Sequence, residues 1–563
     1  MNKVKSFISV IVVVILFQSL LLAGCSNKDK DNNTNNNDTN QIKQESNNDK
    51  VDNETQNIIQ DKEIEISEYN LGQSEIKQNS GIIMPYDMVG TIAAPKEGDN
   101  YPVVFIMHGN HMIEDYNKDR YDLGFKYLLE ALAKKGFVAI AFNINAQYQL
   151  EFGEPIAHER LITIFNEHFG KLESAIKGES NDFGIQLKNK GDLSKIGMIG
   201  HSRGGGSLDA IINDQKDKGN NNVFGIIKVA PSNLILIENN NPDIPTGIIL
   251  PQYDGDVSFQ DGQSTFDELK GNPLRKSFAS VVFLKGAGHN LFNDNVKQDD
   301  RENNRNLTDD DRKIFLTREQ QKQFLIDYSV DFLNKALGKE VDTNLFDASK
   351  PTTNTAYGLQ AKTSLITGNR TEILLADSED KVNKNEFGGN NKSEDLEVKY
   401  LIESYIPNND QLLNFDHPTK YEKYGVFRIN YTNKNAKFTM EIPKDKQDIS
   451  NYEALSLYLA LYPGSDLNKA RENQALSIVI RDSNGKEAKV ILDDKTAALE
   501  FPEGKSVTNE FTTFWSLKTP LSEARIPFKE FKDINFSDIS SITLQFDQKE
   551  SGSILLRDIS LMK

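Results

Sequence analysis

Between Glu63 and about Leu345, apolar runs of strand length alternate with stretches whose apolar residues recur at helical spacing. Met88–Ala94 and Tyr101–Met107 flank a Lys-Glu-Gly-Asp-Asn turn and read as strands. Arg120–Lys135 sets Leu123, Tyr127, Leu128, Ala131 and Leu132 at helical spacing, with Gly136 placed to stop the helix. Phe137–Ile144 reads as a strand, His158–Ile176 as a helix, and Ile196–Ile199 as the end of a buried strand. Strands follow at Val223–Ala230, Thr246–Leu250 and Phe278–Leu284, and the amphipathic helix Thr317–Leu337 ends at Gly338. This alternation predicts an α/β unit, a mostly parallel sheet with helices on both faces, over residues 63–345.

From about Lys350 to Lys563 the helical period disappears. Phe438–Ile442, Ala454–Leu461, Leu476–Arg481, Lys489–Leu492, Ser541–Phe546 and Ile554–Ile559 are alternating or β-branched runs, separated by turn residues such as Pro463-Gly464 and Asn484-Gly485. Their spacing predicts an antiparallel β-sandwich over 350–563.

The first 62 residues follow neither pattern. Met1 to Leu22 carries Lys3 and Lys5 and then an apolar run from Phe7. Leu22-Ala23-Gly24-Cys25 resembles a bacterial lipobox. That resemblance implies a signal peptide over 1–25, a diacylglycerol on the thiol of Cys25, and a protein anchored by lipid at the extracytoplasmic face of the cell membrane. Cys25 is the only cysteine, so no intrachain disulfide can form. Residues 26–62 are Asn, Asp, Lys, Gln and Ser with almost nothing to bury, which predicts a disordered tether reaching about 35 Å. The formal charge of −18 argues against nucleic acid as a partner, because phosphate contacts need clustered Lys and Arg.

The chemistry centres on Lys195–Leu208, KIGMIGHSRGGGSL. A serine hydroxyl becomes a useful nucleophile when a sharp strand-to-helix turn lifts it clear of the fold beside a base. Such a turn crowds the positions two before and two after the serine, and at Ser202 these are Gly200 and Gly204. These residues resemble the nucleophile elbow of the α/β-hydrolases, and within them the secreted bacterial esterase and acetylhydrolase-like members with a G-H-S-R-G-G elbow. Gly286-Ala287-Gly288-His289-Asn290 looks like the loop carrying the base. Leu250-Pro251-Gln252-Tyr253-Asp254-Gly255-Asp256-Val257 is similar to the loop carrying the acid, and the order Ser, Asp, His is the superfamily's order.

The reaction needs the same groups. An imidazole must take the Ser202 proton and return it to the leaving group, and a carboxylate must hold its other ring nitrogen. His289 is the expected base among seven histidines. His201 adjoins the nucleophile and is expected to pack, His108 to shape the oxyanion loop, and His158, His168 and His417 to serve packing or surface roles. Asp254 is the expected acid from the spacing the resemblance favours, with Asp256 as the alternative. The oxyanion donors are the backbone N–H of Arg203 and that of Asn110, with His111 next. Asn293–Arg312, rich in Asn, Asp, Arg and Lys, lacks an EF-hand's glycine-centred loop and reads as a solvated insertion. No zinc spacing or nucleotide fingerprint appears, so no metal and no cofactor are expected.

The end of the chain, from Ile526-Pro527-Phe528 to Ile559, is similar to jelly-roll modules of the carbohydrate-binding type. That resemblance implies a cell-surface polysaccharide as a partner, although the single tryptophan, Trp515, reads as core or interface rather than a sugar platform. The sequence therefore points to a membrane-tethered serine hydrolase of carboxylic esters, small or polymer-linked, acting through an acyl-enzyme on Ser202. Two rival readings stand beside it: a glycan-binding surface lipoprotein with an inactive or accessory hydrolase fold, and a polysaccharide deacetylase-type esterase targeted by the sandwich.

Overall fold

The computed structural model describes residues 61–149, 155–232, 241–258, 260–304, 307–402, 425–508, 513–517 and 520–563. The expected signal peptide, Cys25, nearly all of the expected tether and His417 lie outside the described residues. Among the described residues no helix is long and apolar enough to cross a membrane.

The strands are β1 (Ile64–Lys77), β2 (Ile83–Pro95), β3 (Tyr101–Met107), β4 (Val138–Phe142), β5 (Gly191–His201), β6 (Val223–Val229), β7 (Thr246–Pro251), β8 (Ala279–Leu284), β9 (Thr355–Ala356) and β10 (Leu359–Ile366). They form one mixed sheet in the order β1-β2-β4-β3-β5-β6-β7-β8-β10-β9. The stretch from β4 to β8 is parallel, and antiparallel strands close both ends. The helices are α1 (Lys126–Lys134), α2 (Ala157–Lys177), α3 (Arg203–Gly206), α4 (Leu208–Asp217), α5 (Asp261–Gly271), α6 (Asp309–Lys313) and α7 (Arg318–Ala336).

Strand periodicity explains the layering. In β3, Val103, Phe105 and Met107 join a cluster with Leu161, Ile164 and Phe165 of α2 and Leu208 and Ile211 of α4. The alternate residues Val104 and Ile106 join Leu128 and Leu132 of α1 and Phe324, Leu325 and Phe332 of α7. Both sheet faces are therefore buried, which is why these strands read as nearly continuous apolar runs.

One expected helix changes character. Tyr121–Phe125 is a 3₁₀ turn, and α1 starts only at Lys126. Asn293 occupies the space beside Gly124, where a Cβ would lie 1.7 Å from Asn293 Oδ1, and Asn293 donates to Tyr121 O at 2.9 Å.

The described residues of 367–563 are largely β. One antiparallel sheet orders Leu396–Ile402, Gly425–Tyr431, Gly552–Met562, Ala454–Leu461 and Ser522–Pro527, with Thr371–Leu375 also pairing to Gly552–Met562. A second orders Asn391–Glu394, Ala436–Glu441, Ile539–Phe546, Leu476–Asp482 and Glu487–Leu492. Phe427, Leu457 and Ile559 of the first share a hydrophobic cluster with Phe438, Ile478 and Leu544 of the second.

The chain does not change sheets at residue 350. Strands β9 and β10, which the sequence reading placed with the C-terminal region, extend the first sheet, Ala361–Ile366 pairing with Leu284–Ala279. Residues 59–563 form one compact unit. Ile248 and Leu250 of β7, Phe266 and Leu269 of α5, and Val281 and Phe283 of β8 share a cluster with Tyr458, Tyr462, Trp515 and Leu521. Trp515 is thus buried in the seam, as its isolation in the sequence suggested.

A chain ended after Lys350 would lose β10, leaving the hydrogen-bonding edge of β8 and the seam's apolar cluster open. Size-exclusion chromatography with light scattering should show that fragment aggregated, while the chain through Lys563 elutes as a defined species.

Candidate active site

Strand β5 runs straight into α3, and Ser202 sits at the corner with φ 55° and ψ −128°. A serine in this region carries strain of about 1–3 kcal/mol, offset by bonds that fix the turn. Ser202 N–H donates to Val229 O at 2.9 Å, and its carbonyl accepts from Gly206 N–H at 3.0 Å and Ser232 N–H at 3.1 Å. A Cβ on Gly200 would lie 2.6 Å from Gly205 Cα, and one on Gly204 would lie 2.4 Å from His108 O. The two glycines are there because backbone passes where a side chain would be.

The loop after β3 closes over the serine. A Cβ on Gly109 would lie 2.7 Å from Ser202 Cβ, 3.2 Å from His111 Nε2 and 3.3 Å from His201 Nδ1, so three groups converge over one glycine. His108 is fully buried and shapes this loop: its Nε2 accepts from Ile144 N–H at 2.9 Å, so Nδ1 carries the proton and donates to Gly109 O at 2.7 Å. Half-buried Asn110 follows Gly109. Arg203 opens α3, where first-turn N–H groups have no intrahelical acceptor.

The base and acid loops leave the neighbouring strands β8 and β7. His289 has no exposed surface, and its Nδ1 is 2.9 Å from Asp254 Oδ2. Because a carboxylate only accepts, Nδ1 keeps its proton in the neutral ring, and it is Nε2 that then has the lone pair. Among the described residues Nε2 has no hydrogen-bond partner, so the Ser202 hydroxyl is not bonded to it here. Such bonds are often long without substrate and tighten around it. Asp254 Oδ1 accepts from Val257 N–H at 2.5 Å and Asp256 N–H at 3.0 Å, locking the acid in its turn. Asp256, half exposed, brings Oδ2 to 3.8 Å from Nε2 on the opposite side of the ring.

Electrostatics follow from this enclosure. Burial disfavours the His289 cation, but the charge and hydrogen bond of Asp254, helped by Asp256 and Asp300, outweigh it and raise the imidazole to about 9. The other two rings go the opposite way. Burial, then the charge of His289, pushes His201 well below the ordinary histidine value, and burial with His108 and His289 does the same to His111. His201 packs as expected, 4.7 Å from the His289 ring by centroid, with Nε2 donating to His289 O at 3.0 Å. His168, also fully buried, stacks on Phe142 and meets Tyr69 OH at 3.1 Å through Nδ1.

The stretch after the base is not a solvated insertion throughout. Asp300 is 1 % exposed and accepts from Gly255 N–H at 2.8 Å, His289 N–H at 2.9 Å and Asn290 N–H at 2.8 Å. It therefore ties the acid loop to the base loop. Burial and the nearby Asp254 charge raise its pKa, against the pull of His289 and the N–H groups. Arg301, also buried, donates to Gly286 O at 3.1 Å and Leu316 O at 2.7 Å. Composition hid these residues among exposed neighbours, in a polar run that begins at Asn293 and is broken only by Val296 and Leu307. No cluster of His, Cys, Asp and Glu that could hold a metal ion occurs among the described residues.

The chlorophyllase family model matches residues 58–237, less than half of the chain. That family is an ester-hydrolysing, α/β-hydrolase-like one, and the mixed sheet with helices on both faces is compatible with such a domain. The match includes Ser202 and the His108 loop and stops before Asp254 and His289. Comparison with curated proteins finds no match.

Two substitutions measure how tightly this corner is built. Gly200→Ala forces a methyl into the backbone of Gly204 and Gly205 and should cost about 1–3 kcal/mol in urea unfolding. Asp300→Ala strips the acceptor from three N–H groups at about 1–3 kcal/mol each, and its unfolding midpoint should fall further than that of Gly200→Ala.

Proposed function

We propose that the chain is a serine hydrolase of carboxylic esters that works through an acyl-enzyme on Ser202. The observation that carries this reading is the buried Asp254–His289 pair, with no hydrogen-bond partner at Nε2 and its ring 4.7 Å by centroid from that of His201, the residue before a serine on a strained glycine-flanked turn. Ser202 Oγ attacks the ester carbonyl carbon as its proton passes to His289 Nε2. The oxygen that becomes negative takes hydrogen bonds from the N–H groups of Arg203 and Asn110. The tetrahedral carbon then expels the alkoxide, which leaves with the proton from Nε2. Water attacks the acyl-enzyme with Nε2 again as base, freeing the carboxylic acid and restoring Ser202. Asp254 is the acid of this scheme, and the scheme uses no cofactor.

The remaining parts of the proposal rest on sequence. A lipid on Cys25 and the tether over 26–62 would hold the enzyme at the extracytoplasmic membrane face. The two C-terminal sheets sharing one core are read as a jelly-roll sandwich. Trp515, buried against Phe501 and donating through Nε1 to Glu503 O at 2.6 Å, offers no platform for a sugar, so the glycan-binding reading has no aromatic anchor there.

A chain beginning at Ile59 should hydrolyse p-nitrophenyl acetate and take up a fluorophosphonate on Ser202, located by mass spectrometry. Ser202→Ala should lower turnover by about three orders of magnitude or more; equal rates in the two proteins would sink the reading. The pH profile carries a second expectation. His289 must be neutral to act as base, so kcat/KM should rise with pH through a midpoint near 9 and level off only above it, and Asp256→Asn should move that limb to lower pH. Stability should run the other way. The folded value of about 9 lies above the reference 6.5, so the contribution of His289 is fully present below about 6.5 and is lost as pH rises through about 9.

A further inference from the structure

The acid and the base of the site lie on separate loops, and both loops are held at their roots by one residue of the C-terminal region. Gln252 lies two residues before Asp254, and Lys285 and Gly286 lie just before His289. Glu503 Oε2 accepts from Gln252 Nε2 at 2.9 Å, and Glu503 Oε1 is 2.7 Å from Lys285 Nζ. Gln252 uses its other end as well, Oε1 accepting from Gly286 N–H at 2.9 Å. The path from Glu503 through Gln252 to Gly286 and back through Lys285 is closed, so neither loop root can shift without breaking a bond made by the other.

The surroundings are built to hold Glu503 in place. Glu500 Oε1 is also 2.7 Å from Lys285 Nζ, and buried Lys362 of β10 faces the same group, so two cations balance two anions. Trp515 Nε1–H holds the Glu503 carbonyl, and Gly504 turns there with φ 97°. A Cβ on Gly504 would lie 2.8 Å from Ser516 Oγ and 3.0 Å from Trp515 Nε1. The single tryptophan of the chain is thus the anchor of the loop that presents Glu503.

We propose that Glu503 is a positioning residue for the Asp254–His289 pair, which makes the C-terminal region a working part of the hydrolase site rather than a separable module. The inference rests on the serine-hydrolase reading. Displacing a catalytic group by about 1 Å can cost as much as 10²-fold in rate, and the Glu503 bridge fixes the spacing of the two loops that carry these groups.

The test uses two variants of the chain through Lys563. Glu503→Ala breaks both links. Gln252→Leu breaks the links of Gln252 to Gly286 and to Glu503 and leaves the ion pairs of Lys285 intact, so it answers the question if Glu503→Ala fails to fold. In both, kcat on p-nitrophenyl acetate should fall about tenfold or more with KM within about twofold of the parent. The downfield proton resonance of His289 Nδ1–H, bonded to Asp254, should move or broaden. A melting temperature that drops while kcat and the resonance stay as in the parent overturns the proposal, as does a change confined to KM. If the parent itself neither turns over ester nor takes fluorophosphonate, the hydrolase reading fails instead, and the resonance alone decides the positioning role.

Discussion

An imidazole with no exposed surface would ordinarily lose its proton affinity, and His289 gains it because three carboxylates surround it. That arrangement constrains much of the architecture near the site. Asp254, Asp256 and Asp300 come from two separate stretches of chain, and such charges repel one another unless the imidazole and backbone N–H groups stand between them. Asp300 meets this need with three N–H donors drawn from the acid and base loops together. Arg301 beside it holds the carbonyls of Gly286 and Leu316, so the start of the base loop is tied as firmly as its end.

The serine side of the site is organised by contact between backbones. β5, α3 and the loop after β3 approach so closely that Gly109, Gly200 and Gly204 have no room for a Cβ. This closeness brings Ser202, His111 and His201 over one point, where burial pushes the proton affinity of both extra rings down. The strained dihedral of Ser202 persists because its N–H and carbonyl are both bonded to neighbouring elements.

The C-terminal sheets join the first sheet through a seam that is partly polar. Helix α5 carries Gln263, Asp267 and Lys270 into it, where Tyr458 OH donates to Asp267 at 3.0 Å and Lys270 meets Asp558 at 3.1 Å. Burial raises the carboxyls of Asp267 and Asp558 despite these cationic and hydroxyl partners. Buried polar pairs of this kind add little net stability but penalise any misfit between the partners, which suits a seam next to the loops that carry Asp254 and His289.

Most of the parallel strands, α2 and α7 were legible in the sequence because each buries an apolar face with its own period, and that periodicity is a local property. The elbow was legible for a related reason: Gly200 and Gly204 answer to a steric demand set within five residues. The helix α5 was not, since its sequence DGQSTFDELKG is polar and it is buried only because a second set of sheets lies over it. Strand β10 escaped assignment to the first sheet because pairing with β8 leaves no mark in either strand. Asp300 looked solvated among Asn, Asp and Arg neighbours, and Glu503 looked like any loop acid. What the sequence by itself determined is the glycine-flanked turn at Ser202 and the kinds of group that the proposed chemistry asks for. Only the tertiary structure decided that Asp254 rather than Asp256 meets Nδ1, and which distant carboxylates brace the loops, because those choices depend on distances between segments that share no local pattern.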